Sequence, residues 1–316
     1  MNKLAQLIKL RDYISRYETN PFHYPTQFIR LKQENWRKLI EMWEVENEQQ
    51  VQAQLKAMNA ESPKAKGRFR WNPFKQAKTD TEDMILFKRN LPESKDHLRQ
   101  YFLNQLYPFQ LKWATSTLTH VSYTERDHYF DKHLKYFLQH FPDIYFLMYY
   151  PVFNIKKAPV DLEIILISPV EIEIISIIDG QSRDAIIVSD DRSWVVEGEK
   201  SESKIISPTI ALKRTESIVE GILQAYDLSY NIRKTVLSRD AHFLYTTEPY
   251  NVRLVGANKY KEWYDQKRSL SGSLKGTQLK VMEALLMHSL SNSVRRPEWE
   301  RDKDMDEEES PFIIED

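Results

Sequence analysis

Apolar residues recur at helical spacing from the start of the chain, where Leu4, Leu7, Ile8, Tyr13 and Ile14 fall on one side of a helix. Pro21 and Pro25 interrupt that run. A second helix is predicted over 26–58, with Phe28, Leu31, Trp36, Leu39, Ile40 and Trp43 along its apolar stripe. Helical periodicity returns over 81–118. It returns again over 124–141, where TERDHYFDKHLKYFLQHF runs into Pro142. Strands are then predicted at 145–153, 160–168 and 171–178, with weaker ones at 185–189 and 193–197. A helix over 207–230, strands at 234–237, 242–246 and 251–255, a short helix over 258–266 and a last helix over 277–291 complete the pattern.

The most apolar stretch is VDLEIILISPVEIEIISII, Val160–Ile178, which reads as two strands of a buried sheet folded back at Ser168-Pro169. It nevertheless carries Asp161, Glu163, Glu171 and Glu173. Side chains alternate faces along a strand, so Asp161 and Glu163 share one face. On the second strand Ile172, Ile174, Ser176 and Ile178 share the face expected to pack on helices, and Glu171 and Glu173 point the other way. The simplest reading of the four acids is solvent-facing charge that guards an apolar hairpin from edge-to-edge association.

Composition narrows the function classes. A chain of 316 residues with 41% hydrophobic content supports two domains, or one with additions. A net charge of −1 makes any nucleic-acid or membrane patch a local feature. With no cysteine, a disulfide scaffold, a Cys-based zinc site and a thiol nucleophile are excluded. The eight histidines include no HxH or HxxxH pair. His128 and His133, five apart, read as surface residues, and the tryptophans as core. The seven glycines form no GxGxxG or GxxxxGK[ST] phosphate loop. The charged N-terminus lacks a signal-peptide core and no run is long and apolar enough to span a bilayer, so a cytoplasmic protein without a membrane partner is expected.

Two segments depart from this pattern. In SPKAKGRFRWNPFKQAKT, 62–79, six cations alternate with aromatics and no acid is present. Lys64, Lys66, Arg68, Arg70, Lys75 and Lys78 suit phosphates, and Phe69 and Trp71 suit stacking on bases, so this loop is the candidate contact for DNA or RNA. From Arg295 the chain is polar and rich in acids, an expected disordered tail. Near its end Phe312, Ile313 and Ile314 form an apolar tip beside four consecutive acids, suited to docking on a protein partner. The helical N-terminal region is the other candidate surface for a protein partner.

The order helix, strand, long hairpin, weak strands, helix, strands over 123–265 resembles the nuclease-related domain, NERD, of many bacterial proteins. That family has the PD-(D/E)xK restriction-endonuclease-like fold. The resemblance implies a helix opening with Gly-Glu, where this chain has Arg126-Asp127. It implies a metal-binding Asp six residues before the Pro of a turn, where this chain has Glu163 before Pro169. It implies Glu-x-Lys at the positions held here by Ser176 and Ile178. The segment Asn-Pro-Ile-x-Gln-x-x-Arg-Gln corresponds to SPTIALKRT, in which Pro208, Lys213 and Arg214 fit while Ala211 and Thr215 replace the glutamines.

The fold class so implied is α+β or α/β: a helical N-terminal region, then a restriction-endonuclease-like mixed sheet flanked by helices, then a disordered acidic tail. The ranges are 1–120, with the basic loop 62–79, then 121–268, 269–294 for a C-terminal helix, and 295–316. Mg²⁺-dependent phosphodiester hydrolysis needs several converging oxygen ligands and a cation near the scissile phosphate. Asp127, Asp161 and Glu163 are the residual catalytic candidates, and isoleucine holds the lysine position. The sequence therefore points to a non-catalytic interaction or nucleic-acid-associated module with neither metal nor cofactor. The competing expectation is a Mg²⁺-dependent nuclease with a rearranged site.

Overall fold

The strand-forming run Phe146–Tyr149 is the second strand from one edge of a six-stranded mixed sheet in the computed structural model, which describes residues 4–58, 85, 87, 91–189, 192–199 and 202–296. The chain divides into two units, one joining Met1–Pro25 to Gln110–Asp316 and the other comprising Thr26–Phe109. The basic loop 62–79 and the tail from 297 onward lie outside the described residues, and with them the candidates Lys64 to Lys78 and Phe312 to Ile314.

The strands and helices, in chain order, are β1 Gln6–Leu10, α1 Arg16–Thr19, α2 Tyr24–Met58, α3 Lys95–Trp113, β2 His120–Val121, α4 Lys132–His140, β3 Phe146–Tyr149, β4 Val152–Ile155, β5 Ala158–Asp161, β6 Ile164–Ile167, β7 Glu171–Ile177, β8 Ala185–Ile187, β9 Ser193–Glu197, β10 Glu202–Ile206, α5 Pro208–Ala225, β11 Asn231–Leu237, β12 His242–Leu244, β13 Arg253–Val255, α6 Ala257–Ser269, α7 Gly276–His288 and β14 Val294–Arg295.

The large sheet has the order β1-β3-β6-β7-β11-β13. β3, β6 and β7 form an antiparallel meander. β1 runs parallel to β3, and β11 and β13 run parallel beyond β7. Ser168 makes the turn between β6 and β7. Its hydroxyl accepts from the amides of Val170 and Glu171 at 3.3 and 3.0 Å, and Pro169 supplies the fixed φ a tight turn needs. Ile172, Ile174 and Ile175 are buried, so β7 is covered on both faces. A separate, smaller sheet has the order β10-β9-β8-β12, and β4 pairs with β5 as a two-stranded ribbon.

Several sequence-based assignments change. Of the helix expected over 81–118, α3 takes Lys95–Trp113, and the one expected over 124–141 is a 3-10 turn at Arg126–Tyr129 followed by α4. The run at 4–14 is not a helix: Gln6–Leu10 is a fully buried strand. A five-residue apolar stretch fits either period, and the open edge of β3 decides the outcome. The strand expected over 145–153 breaks at Tyr150, whose φ is 45°, and resumes as β4. The strand expected over 160–168 divides at Leu162–Glu163 into β5 and β6, which pair with different partners.

In the second unit Trp36 packs on Phe102 with ring centroids 5.2 Å apart, and the Trp43 indole donates to the Pro92 carbonyl. At the other end of the chain, α7 ends at His288 rather than 291. An extended segment then binds back on the first unit. Leu290 donates to Val152 O, Asn292 to Asp12 O, and β14 pairs with β2.

Candidate functional site

The hairpin register that pairs Ile164 with Ile175 sets Glu163 across from Ser176, whose hydroxyl favours the ionised form of the Glu163 carboxyl group. The backbone amide of Glu163 donates to Thr215 Oγ1 at 3.1 Å, so α5 is fastened to the start of β6. Arg214, the preceding residue of α5, donates to the Asp161 carbonyl at 3.0 Å. Burial pushes Glu163 above the usual carboxylate value, against the pull of the Ser176 hydroxyl and the Arg214 charge.

This shift has a consequence for stability. An acid whose folded pKa is raised is easier to ionise in the unfolded chain, so it lowers stability as pH rises from the unfolded value through the folded one. Glu163→Gln is therefore expected to leave stability unchanged below the unfolded pKa and to raise it at neutral pH. Urea unfolding of both proteins at acid and neutral pH reads the difference. A mutant less stable at neutral pH would mean that Arg214 attraction outweighs burial.

Other candidates fall elsewhere. Asp161 is exposed on β5, and Asp127 is exposed in a 3-10 turn at Arg126–Tyr129. Tyr150 is raised by burial first and then by the charges of Glu163, Asp131 and Asp179, so all three acids act on its ring. Asp131 caps α4 by accepting from the amides of His133 and Leu134, and it also accepts from Tyr149 Oη at 2.8 Å. The sequence signal for it was an aspartate directly before an amphipathic run. Asp179 is 3.0 Å from His133 Nε2 and 3.8 Å from Lys132 Nζ. His128 is buried rather than on the surface, with its ring 5.7 Å from that of Tyr13.

These acids are held by caps, hydroxyls and ion pairs. Among the described residues no group of three or more His, Asp or Glu could hold a metal ion. Ile178, at the lysine position, is buried.

The other pair of acids contradicts the expectation of guard charges. Glu173 is only 1% exposed. Its Oε1 accepts from Thr235 at 2.5 Å and from the Trp263 indole at 3.0 Å, and its Oε2 lies 2.5 Å from Lys267. Glu171 accepts from Lys267 at 2.8 Å and pairs with Arg233 at 3.1 Å. Burial alone would raise Glu171, but the hydrogen bond and charge of Lys267, then Arg233, outweigh it and hold the carboxyl below its usual value. Trp263 and Lys267 belong to α6, so the acids of β7 anchor that helix to the sheet. They are closed to a substrate.

Among the described residues no helix is long and apolar enough to cross a membrane. No family model matches the chain, and no solved structure matches it. A stretch of 45 residues, 14% of this chain, is 56% identical to a protein of Geobacillus stearothermophilus described as an RNA 2',3'-cyclic phosphodiesterase. The match spans 14% of that protein's length.

Proposed function

We propose that this chain is a restriction-endonuclease-like domain of the NERD type that has lost phosphodiester cleavage and acts by binding, as an interaction or nucleic-acid-associated module in the cytoplasm. The succession helix, strand, hairpin, helix, strand on which the resemblance rests has its counterpart in α4, β3, β6–β7, α5 and β11. The observation that carries the loss of catalysis is the content of the expected site. Glu163 meets a serine hydroxyl at the first Glu-x-Lys position, and a buried isoleucine fills the second. A hydroxyl and one carboxylate leave a divalent cation short of the six oxygen ligands it favours, and isoleucine offers no proton or charge.

The purified chain is expected to leave linear DNA and RNA uncut with Mg²⁺ or Mn²⁺. Metal-dependent cleavage that disappears in Glu163→Ala would establish the competing reading, a nuclease with a rearranged site. The short match to the Geobacillus protein favours a second competing activity. Turnover of nucleoside 2',3'-cyclic phosphates by the purified chain would install that reading instead.

If nucleic acid is the binding partner, the six cations of segment 64–78 are its expected contacts. The slope of log affinity against log salt should then be near −5, at about 0.9 per phosphate neutralised. Changing Arg68 and Arg70 to alanine should flatten it by about two. Binding that ignores salt would remove this segment from the interface.

A further inference from the structure

We propose that a second site, in a cleft at the start of α6, binds a small amphipathic oxyanion, with a flat apolar body and a carboxylate or phosphate head. None of its lining residues belongs to the Glu163 site. The cleft has a volume of about 490 Å³, within the range of small-molecule sites, roughly 300–1,000 Å³.

Its lining is mixed in chemistry. Ile187 of β8, Val188 just beyond it, Phe243 of β12 and Leu254 of β13 supply apolar lining. Ile187 is 38% exposed, apolar surface that a flat ligand would cover. Tyr245 and Lys259 add polar groups to the lining, and among the described residues Lys259 is the one formally charged residue there, ion-paired to Glu248 just outside it. Apolar lining beside a lysine ammonium held by Glu248 suits an anion with an apolar body.

The lysine is held in place. Lys259 Nζ donates to Tyr245 Oη and to Glu248 Oε1, both at 3.2 Å. An ammonium has three donors, so a third remains for a ligand head. The hydrogen bonds of Tyr245 and Glu248 also keep the ammonium charged. Gly256 adds bare backbone to the lining. A Cβ on Gly256 would sit 3.0 Å from both the Ala241 carbonyl oxygen and Phe243 Cδ2, so a side chain there would crowd the lining.

Titration calorimetry of the full chain with 1-naphthyl phosphate, 1-naphthoate and 1-naphthol tests the site. Both anions are expected to bind saturably at one site, and naphthol about tenfold more weakly or worse, since it cannot make the charge-assisted bond. Lys259→Met should weaken both anions by about tenfold or more and leave naphthol unchanged, at an unaltered melting temperature. Lys259→Arg should restore part of the anion affinity. The tighter of the two anions identifies the head group. The proposal is overturned by the absence of saturable binding at millimolar ligand, by equal affinity for all three ligands, or by anion binding that survives Lys259→Met.

Discussion

Replacing Ile174 by aspartate is expected to unfold the sheet-bearing unit. Ile174 is fully buried in β7, paired with Ile165 of β6 on one side and Lys234 of β11 on the other. The site offers an ionised carboxylate neither water nor a free counter-charge, because the nearby Lys234 is already bound to Glu216. Burial of an unpaired charge costs several kcal/mol, and the lost isoleucine packing adds about 2–5 kcal/mol. Together these reach the whole stability of a typical domain, about 5–15 kcal/mol. Ile174→Val, by contrast, should cost only about 0.5–1.5 kcal/mol. A soluble Ile174→Asp protein with a cooperative melt near the wild-type Tm would show that this face of β7 is not the core.

The second large effect is expected at Lys267. Lys267→Met leaves Glu171 and Glu173 buried side by side without their shared cation, and breaking a buried pair from one side costs about 3–5 kcal/mol. The loss should depend on pH in a definite direction. Glu171, held below its unfolded value, contributes stability that is present above the unfolded pKa and is lost as pH falls through the folded one. The destabilisation should therefore be largest at neutral pH and shrink in acid, where the carboxyl groups protonate. Adding Glu171→Gln and Glu173→Gln to Lys267→Met should recover most of the stability, since the uncompensated charges are gone. Urea unfolding at pH 7 and at about pH 4 measures both trends. A Lys267→Met protein as stable as wild type at pH 7 would remove the network from the list of what holds α6 on the sheet.

The sequence pattern located the hairpin 160–178 and its turn because β6 and β7 are continuous in the chain. The turn then fixed which residues face each other, including Glu163 and Ser176. The same pattern misread Glu171 and Glu173 as exposed. Their cover, α6, lies some 96 residues away at Lys267, and local alternation carries no information on which face of a sheet a distant helix will occupy. β1 was lost for a related reason, because its strand conformation is imposed by β3. β10, with Glu202, Ser203 and Lys204 exposed on an edge, lacks the apolar signature of a strand. At the candidate site, the family resemblance pointed to Glu163. Asp131 and Tyr150 were missed because they gather there only through the ends of α4 and β3.

The bonds of Asn292 to Asp12, through backbone and side chain, close a loop of 280 residues. They have a consequence for how the chain is made. A ribosome adding roughly 5–20 residues per second releases β1 first and the segment that latches onto the residues after it tens of seconds later. Until then the buried pair of Lys9 with Glu18 lacks Ser291, whose hydroxyl accepts from Lys9 and donates to Glu18. The nascent unit must wait with that end unfastened, exposed to misassociation for most of its synthesis. A chain truncated before Ser289 should accordingly be produced but retained by chaperones, its sheet built and its last fastening absent.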